Sequence, residues 1–186
     1  MEEIFNPETY KINLSDTEPY DYQEAKRQAE AVFFQMSPFE TVMVRFPIVL
    51  GEDDYSKRLK FHVDHIADEK EIFFPNLNTK MGFIQSHEAG DFLNYLGKHT
   101  FTGPVNAVSS GYISLLDLTK LIENKSHKKI KQAKEASETN HSPFGFDCDF
   151  MMPNKKAMSL GFEFANLMDY LPGLVDYYLT TKNYES

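Results

Sequence analysis

Tyr22 and Lys26 stand four residues apart in the run YDYQEAKRQAE, a spacing that on a helix puts both side chains on one side, one turn apart. An ammonium beside a phenol favours the phenolate, so such a pair suits a general acid/base that exchanges a proton with a hydroxyl or carbonyl. The pattern is short enough to arise by chance, and Tyr178 with Lys182 repeats it. Tyr22 also falls on an apolar stripe, which fits a core tyrosine as readily as a catalytic one. His62 and His65 with Asp64 and Asp68 offer metal-ligating side chains, but no other ligand stands at a recognisable spacing, so core or surface histidines and no metal are expected. The single cysteine, Cys148, lies between Asp147 and Asp149, a setting that disfavours a nucleophilic thiolate.

The elements that must carry these groups follow from hydrophobic periodicity. Ser15, Asp16, Thr17 and Glu18 before Pro19 form a helix start signal, and Tyr22, Ala25, Ala29, Val32, Phe33 and Met36 follow at helical spacing until Ser37 and Pro38. That stripe is expected to face a core. Thr41 to Gly51, TVMVRFPIVLG, reads as one strand buried on both faces of a mostly parallel sheet, which requires parallel partner strands and crossover helices. Downstream, a helix through His62, His65 and Ile66 and a short strand over Glu71 to Pro75 are expected. Phe83 to Gly97 starts extended and turns helical with Ala89, Phe92, Leu93 and Leu96 inward. Val105 to Val108 gives a short strand, a Ser-Ser-Gly turn, and then a helix capped by Ser114 with Leu115, Leu118, Leu121 and Ile122 inward. The basic run Lys125, Lys128, Lys129, Lys131 and Lys134 reads as a solvated face. A helix from Lys155 to Leu160 ends at Gly161, and a last stripe joins Leu167, Tyr170, Leu171, Leu174 and Tyr178 across Pro172.

Composition narrows the function classes. With 186 residues, 41% hydrophobic and 25% charged, the chain can bury a core and is not disordered. A formal charge of -9 repels phosphate backbones and anionic lipid, so neither nucleic acid nor membrane is an expected partner. One cysteine forms no internal disulfide, no apolar run approaches the ~20 residues of a membrane span, and MEEIFNPETY is acidic, so a cytoplasmic protein is expected.

Several stretches in order carry a family resemblance. The run YDYQEAKRQAE followed by VMVRFPIVLG, then MGFIQSHEAGDFLNYL, GPVNAVSSGYISLLDLTKLIE and KKAMSLGFEFANLMDYLPGLVDYY, resembles the extended short-chain dehydrogenase/reductases, the NAD-dependent epimerase/dehydratase family. The likeness runs from about residue 15 to 178. It implies an α/β chain with a partial Rossmann-like sheet and a C-terminal substrate-binding α/β region. Residues 1–51 would be the remnant of the Rossmann-like domain and 52–186 mainly the substrate-binding region. It further implies that Tyr22 is the catalytic acid/base and that Lys26 supports it and holds the nicotinamide ribose of NAD or NADP. Phe46 and Pro47 would be the place where the backbone passes the nicotinamide, with a small sugar-like or other hydroxyl or carbonyl substrate.

The chain departs from that family in specific places. It has no GxxGxxG turn to hold a pyrophosphate, and Ser15 lies in the polar lead-in rather than on a strand before the tyrosine. Met1 thus falls inside the family pattern, as if this were the C-terminal half of a larger enzyme. Ile48 and Met81 stand where many nucleotide-sugar enzymes carry an asparagine and an arginine, which argues against a nucleotide-sugar substrate unless Lys57, Arg58 or Lys80 supplies charge. The competing expectation is a non-catalytic, truncated binding or oligomerisation module that holds no NAD(P) by itself and forms a homo-oligomer through an exposed sheet edge.

Overall fold

The computed structural model describes residues 5–14 and 21–185, with side chains through Lys182. The start signal at Ser15 to Pro19 lies outside the described residues; among them, α1 (Tyr22–Met36) begins after Asp21, whose side chain accepts from the Glu24 amide. Thr41 to Gly51 forms two strands rather than one, β1 (Val42–Arg45) and β2 (Ile48–Leu50). The break falls at Phe46 and Pro47, where proline supplies no ladder N–H. β1 pairs in parallel with β6 (Gly103–Asn106), and β2 pairs in parallel with β5 (Phe83–Gln85). The segment after β6 passes from one partner to the other, since Ala107 N–H donates to the Arg45 carbonyl and Ser109 N–H to that of Phe83. The expected parallel partners are present, but β1 is only half-buried and Val49 of β2 is exposed, so the doubly buried strand is corrected. The strand expected over Val105 to Val108 lies two residues earlier.

Helices cover both faces of the β2–β5 pair. Successive residues of β5 split between two cores: Phe83 enters one with Ile48, Leu59, Phe144 and Leu171, and Ile84 the other with Phe92, Val105, Ala157 and Phe164. The first core is built by α2 (Arg58–Ala67), α4 (Leu115–Ser126) and α6 (Leu167–Glu185), the second by α3 (Ser86–Leu96) and α5 (Lys155–Ser159). Each of these helices was expected from the sequence, and where a stripe was expected it faces inward with one exception in α3, where Leu93 is exposed. Ser114 caps α4 as anticipated, accepting the Asp117 amide at 3.0 Å. Ser114→Ala should cost about 1 kcal/mol in a urea unfolding titration, the usual loss for a helix cap; an unchanged midpoint would remove the cap from the stability of α4. Gly161 ends the α5 region with φ +99, a conformation suited to glycine.

Four strands are two residues long; the one that begins at Glu71 is the start of the strand expected over Glu71 to Pro75, cut short, and the other three carry no periodic signal. β3 (Glu71–Ile72) pairs in parallel with β8 (Lys131–Gln132), and β4 (Lys80–Met81) pairs antiparallel with β7 (Ile113–Ser114). β8 thus lies inside the basic run, where Lys125 pairs with Asp176, Lys128 with Glu69 and Lys129 with Glu123. His62 is fully buried in the first core. Its Nδ1 lies 2.8 Å from the Arg58 carbonyl and its Nε2 2.8 Å from Ser142 Oγ, while the ring stacks on Phe144 at 4.7 Å. It is a core histidine.

Candidate functional site

α1 is turned opposite to its expected orientation. Its polar side is the covered one: residues 5–14 lie along it, the Gln35 amide donates to the carbonyls of Pro7 and Tyr10, and Gln28 accepts the Asn13 amide at 2.9 Å. Tyr10 donates its hydroxyl to Glu24, whose carboxylate is held below its ordinary range by the Gln28 amide first, then by Tyr10 and Arg27. Gln28 and Ala31 are the buried residues of the helix. The apolar stripe faces outward, with Tyr22 79% exposed, Phe33 59% and Met36 60%. The core-tyrosine alternative for Tyr22 therefore does not hold.

Lys26 is exposed one turn after Tyr22, and Glu30 follows one turn later. Glu30 forms a forked ion pair with Arg45, the last residue of β1, with Nη2 2.6 Å and Nε 3.0 Å from the carboxylate oxygens. This bond docks the helix beside the strand end at Phe46 and Pro47. At the helical rise, Lys26 stands about 6 Å and Tyr22 about 12 Å along the axis from that anchor. Phe46 itself is half-buried against the second core, and Pro47 is buried. The other match to the pattern resolves as structure: Tyr178 is buried, donates to the Gly51 carbonyl at 2.6 Å, and has its phenol pushed up to about 12 by burial.

Two grooves on the described residues bear on the site. One, of about 520 Å³, lies at the C-terminal ends of β2 and β5 between Glu52, Asp53, Ser86, His87 and Tyr170. The second, of about 440 Å³, lies between Phe33, Phe39 and β1. Neither is lined by Tyr22, Lys26, Phe46 or Pro47. Sequence reasoning did not foresee the first groove or the buried network beneath it. Glu88 accepts the Ser109 hydroxyl and the Ala165 amide, both at 2.6 Å, and Ser109 shares a 3.1 Å bond with the Tyr170 hydroxyl, whose acidity burial lowers. The only signal was a carboxylate beside Ala89 on the inward face of α3. Glu88→Gln should destabilise the fold by about 1–3 kcal/mol, because an amide cannot accept at both positions with equal strength; urea unfolding with no loss would show the network to be dispensable.

Ile48 is buried and Met81 fully so, both within the first core, while Lys57, Arg58 and Lys80 are exposed. Among the described residues no three His, Cys, Asp or Glu side chains gather. No helix among them is long and apolar enough to cross a membrane.

No family model and no curated protein matches the chain. Solved structures do. The UDP-glucose 4-epimerase of Thermus thermophilus in complex with NAD superposes with TM-score 0.63 at 10% identity, covering 89% of this chain and 59% of that one. WbmG of Bordetella bronchiseptica, with NAD and UDP, gives TM-score 0.67 at 15% identity, covering 90% and 54%. The dTDP-glucose 4,6-dehydratase of Bacillus anthracis, with NAD, gives 0.69 at 10%, covering 94% and 58%. The fold is that of these NAD-dependent epimerases and dehydratases. The partial Rossmann-like α/β architecture expected from the sequence is therefore present, and the chain spans little more than half the length of the epimerase/dehydratase structures it matches.

Proposed function

We propose that this chain is the catalytic-tyrosine and substrate-binding part of an NAD(P)-dependent epimerase, dehydratase or reductase acting on a sugar-like or other hydroxyl- or carbonyl-bearing small molecule. The observation that carries the reading is the outward presentation of Tyr22 and Lys26 on adjacent turns of α1, on a fold shared with NAD-bound epimerases. Of the two Tyr-x3-Lys pairs, this one leaves its phenol open for proton exchange. In this reading residues 1–51 are the remnant of the Rossmann-like domain and 52–186 mainly the substrate-binding region, joined by the β1–β6 and β2–β5 pairings.

The described residues do not by themselves fit a dinucleotide. Lys26 can donate to ribose hydroxyls and the backbone at Phe46 and Pro47 can flank a ring, but the sequence has no glycine-rich turn to cradle a pyrophosphate, and Lys26 lines neither of the two grooves described above. Hydride transfer therefore lies beyond what these residues alone can support. The part played by this chain's own residues is proton exchange: the Tyr22 hydroxyl gives a proton to, or takes one from, a substrate oxygen, and the Lys26 ammonium stabilises the anionic phenol that results. The burial of Ile48 and Met81 favours a substrate without a nucleotide diphosphate at that place.

Titration of the 186-residue chain with NADH and NADPH, followed by cofactor fluorescence, tests the division of labour. No binding is expected by the chain alone. Turnover, and its dependence on Tyr22, belongs to the enzyme assembled with a dinucleotide-binding unit; if that enzyme works unimpaired without the Tyr22 hydroxyl, the reading is wrong.

A further inference from the structure

We infer that Arg45 is a positioning residue for the Tyr22–Lys26 pair: by holding both oxygens of Glu30, it keeps that carboxylate off the Lys26 ammonium and reserves the charge for the phenol. The inference rests on the functional reading above and adds a residue that serves the same site. It begins with helix spacing. The residues one turn from Lys26 are Tyr22 and Gln23 before it and Ala29 and Glu30 after it. Two of these can engage an ammonium strongly, the phenol on one side and the carboxylate on the other, so they compete for one charge. A carboxylate is anionic through the neutral range whereas an ordinary phenol is not. In an unconstrained helix Glu30 would therefore take Lys26, even in the weaker order with lysine before glutamate.

Arg45 removes the competitor. Its Nη2 lies 2.6 Å from Glu30 Oε1 and its Nε 3.0 Å from Oε2, so both carboxylate oxygens are engaged. The Arg45 and Glu30 side chains are only 14% and 15% exposed, which makes the pair stronger than a solvated one. Phe5 lies over the guanidinium, with its ring centroid 5.3 Å away, and its carbonyl accepts from Nη2 at 3.4 Å. Arg45 is also fixed in the sheet, as the last residue of β1 opposite Asn106 of β6. Glu30 is thus tethered to the strand end, while Lys26 is exposed and in no ion pair among the described residues. The remaining charges on this part of α1 are already engaged: Asp21 accepts the Glu24 amide, and Glu24 pairs with Arg27 at 3.0 Å. A lysine in place of Arg45 would keep the charge but lose the planar fork that occupies both oxygens.

The test is the ionisation of Tyr22 in the 186-residue chain carrying isotope-labelled tyrosine, followed by NMR against pH and assigned by the signal that Tyr22→Phe removes. Arg45→Met should make Tyr22 ionise at higher pH, its ionisation constant falling about two- to fivefold, the scale of an exposed ion pair. Arg45→Lys should produce part of that fall although the net charge is kept. Glu30→Gln combined with Arg45→Met should restore the wild-type value. In a Lys26→Ala background Arg45→Met should have no effect, which separates action through Lys26 from the loss of a distant charge. Far-UV circular dichroism accompanies each variant, and Arg45→Lys carries the test where the methionine variant does not fold. Three results would overturn the inference: Tyr22 unmoved by either Arg45 variant, no restoration by Glu30→Gln, or an effect that persists without Lys26. Tyr22 unmoved by Lys26→Ala would instead refute the pair itself, and with it the functional reading.

Discussion

Tyr22→Phe in the assembled, cofactor-bound enzyme should lower turnover by about 10²- to 10⁴-fold, the range typical of a lost general acid/base. Cofactor affinity should hardly change, because the exchanged proton belongs to the substrate step. The exposed setting of Tyr22 sharpens the expectation: its hydroxyl supports no core contact in the described structure, so its loss should leave folding intact. Tyr178→Phe is the internal control. That phenol donates to the Gly51 carbonyl from a buried position, so its removal should show in unfolding and leave the chemical step in place. Steady-state kinetics with unfolding titrations on both variants separates the two roles. Retained turnover in Tyr22→Phe would exclude the phenol from the reaction and leave the chain as a binding or assembly part.

What could be read in the sequence was whatever a short window fixes. α4 follows from Ser114 and a stripe three or four residues apart, and the end of α5 from Gly161, because capping and periodicity are local. α1 shows the limit of that logic. Periodicity identifies an apolar side, but which side is covered depends on what packs there, and residues 5–14 pack on the glutamine side through hydrogen bonds that no hydrophobic pattern encodes. The break between β1 and β2 was written in Pro47, but a run rich in Val, Ile and Phe outweighed it on propensity. β4, β7 and β8 are two residues each, too short for any period, and, like the expected β3, exist through partners 32 to 60 positions away. The candidate pair Tyr22 and Lys26 was legible from spacing. The Glu88–Ser109–Tyr170 network was not, since its members come from three separate segments.

Stability should fall as pH drops from about 6.5 toward 4, and His62 should account for up to about 3 kcal/mol of the loss. Burial pushes its imidazole down from 6.5 to about 4, against a raising hydrogen bond from the Arg58 carbonyl and with a smaller lowering contribution from His65. The neutral ring donates from Nδ1 to that carbonyl and accepts the Ser142 hydroxyl at Nε2, and Ser142 Oγ in turn accepts the Phe144 amide at 3.1 Å. A charged ring would place a second donor against Ser142 inside an apolar core. In the unfolded chain the imidazole takes up its proton below about 6.5, while the folded chain resists until about 4; between these values the unfolded state binds more protons, so stability rises with pH. The carboxylates do not mimic this. Asp68, Glu69 and Glu123 are held below their ordinary range by lysine partners and, for Glu123, first by the Ile130 amide. Their contribution is therefore complete above about 4.5 and is lost only below it. Urea unfolding at intervals from pH 7 to 5 should show a slope in the wild type that His62→Gln largely abolishes, and equal slopes in the two proteins would mean that the buried ring is not what titrates.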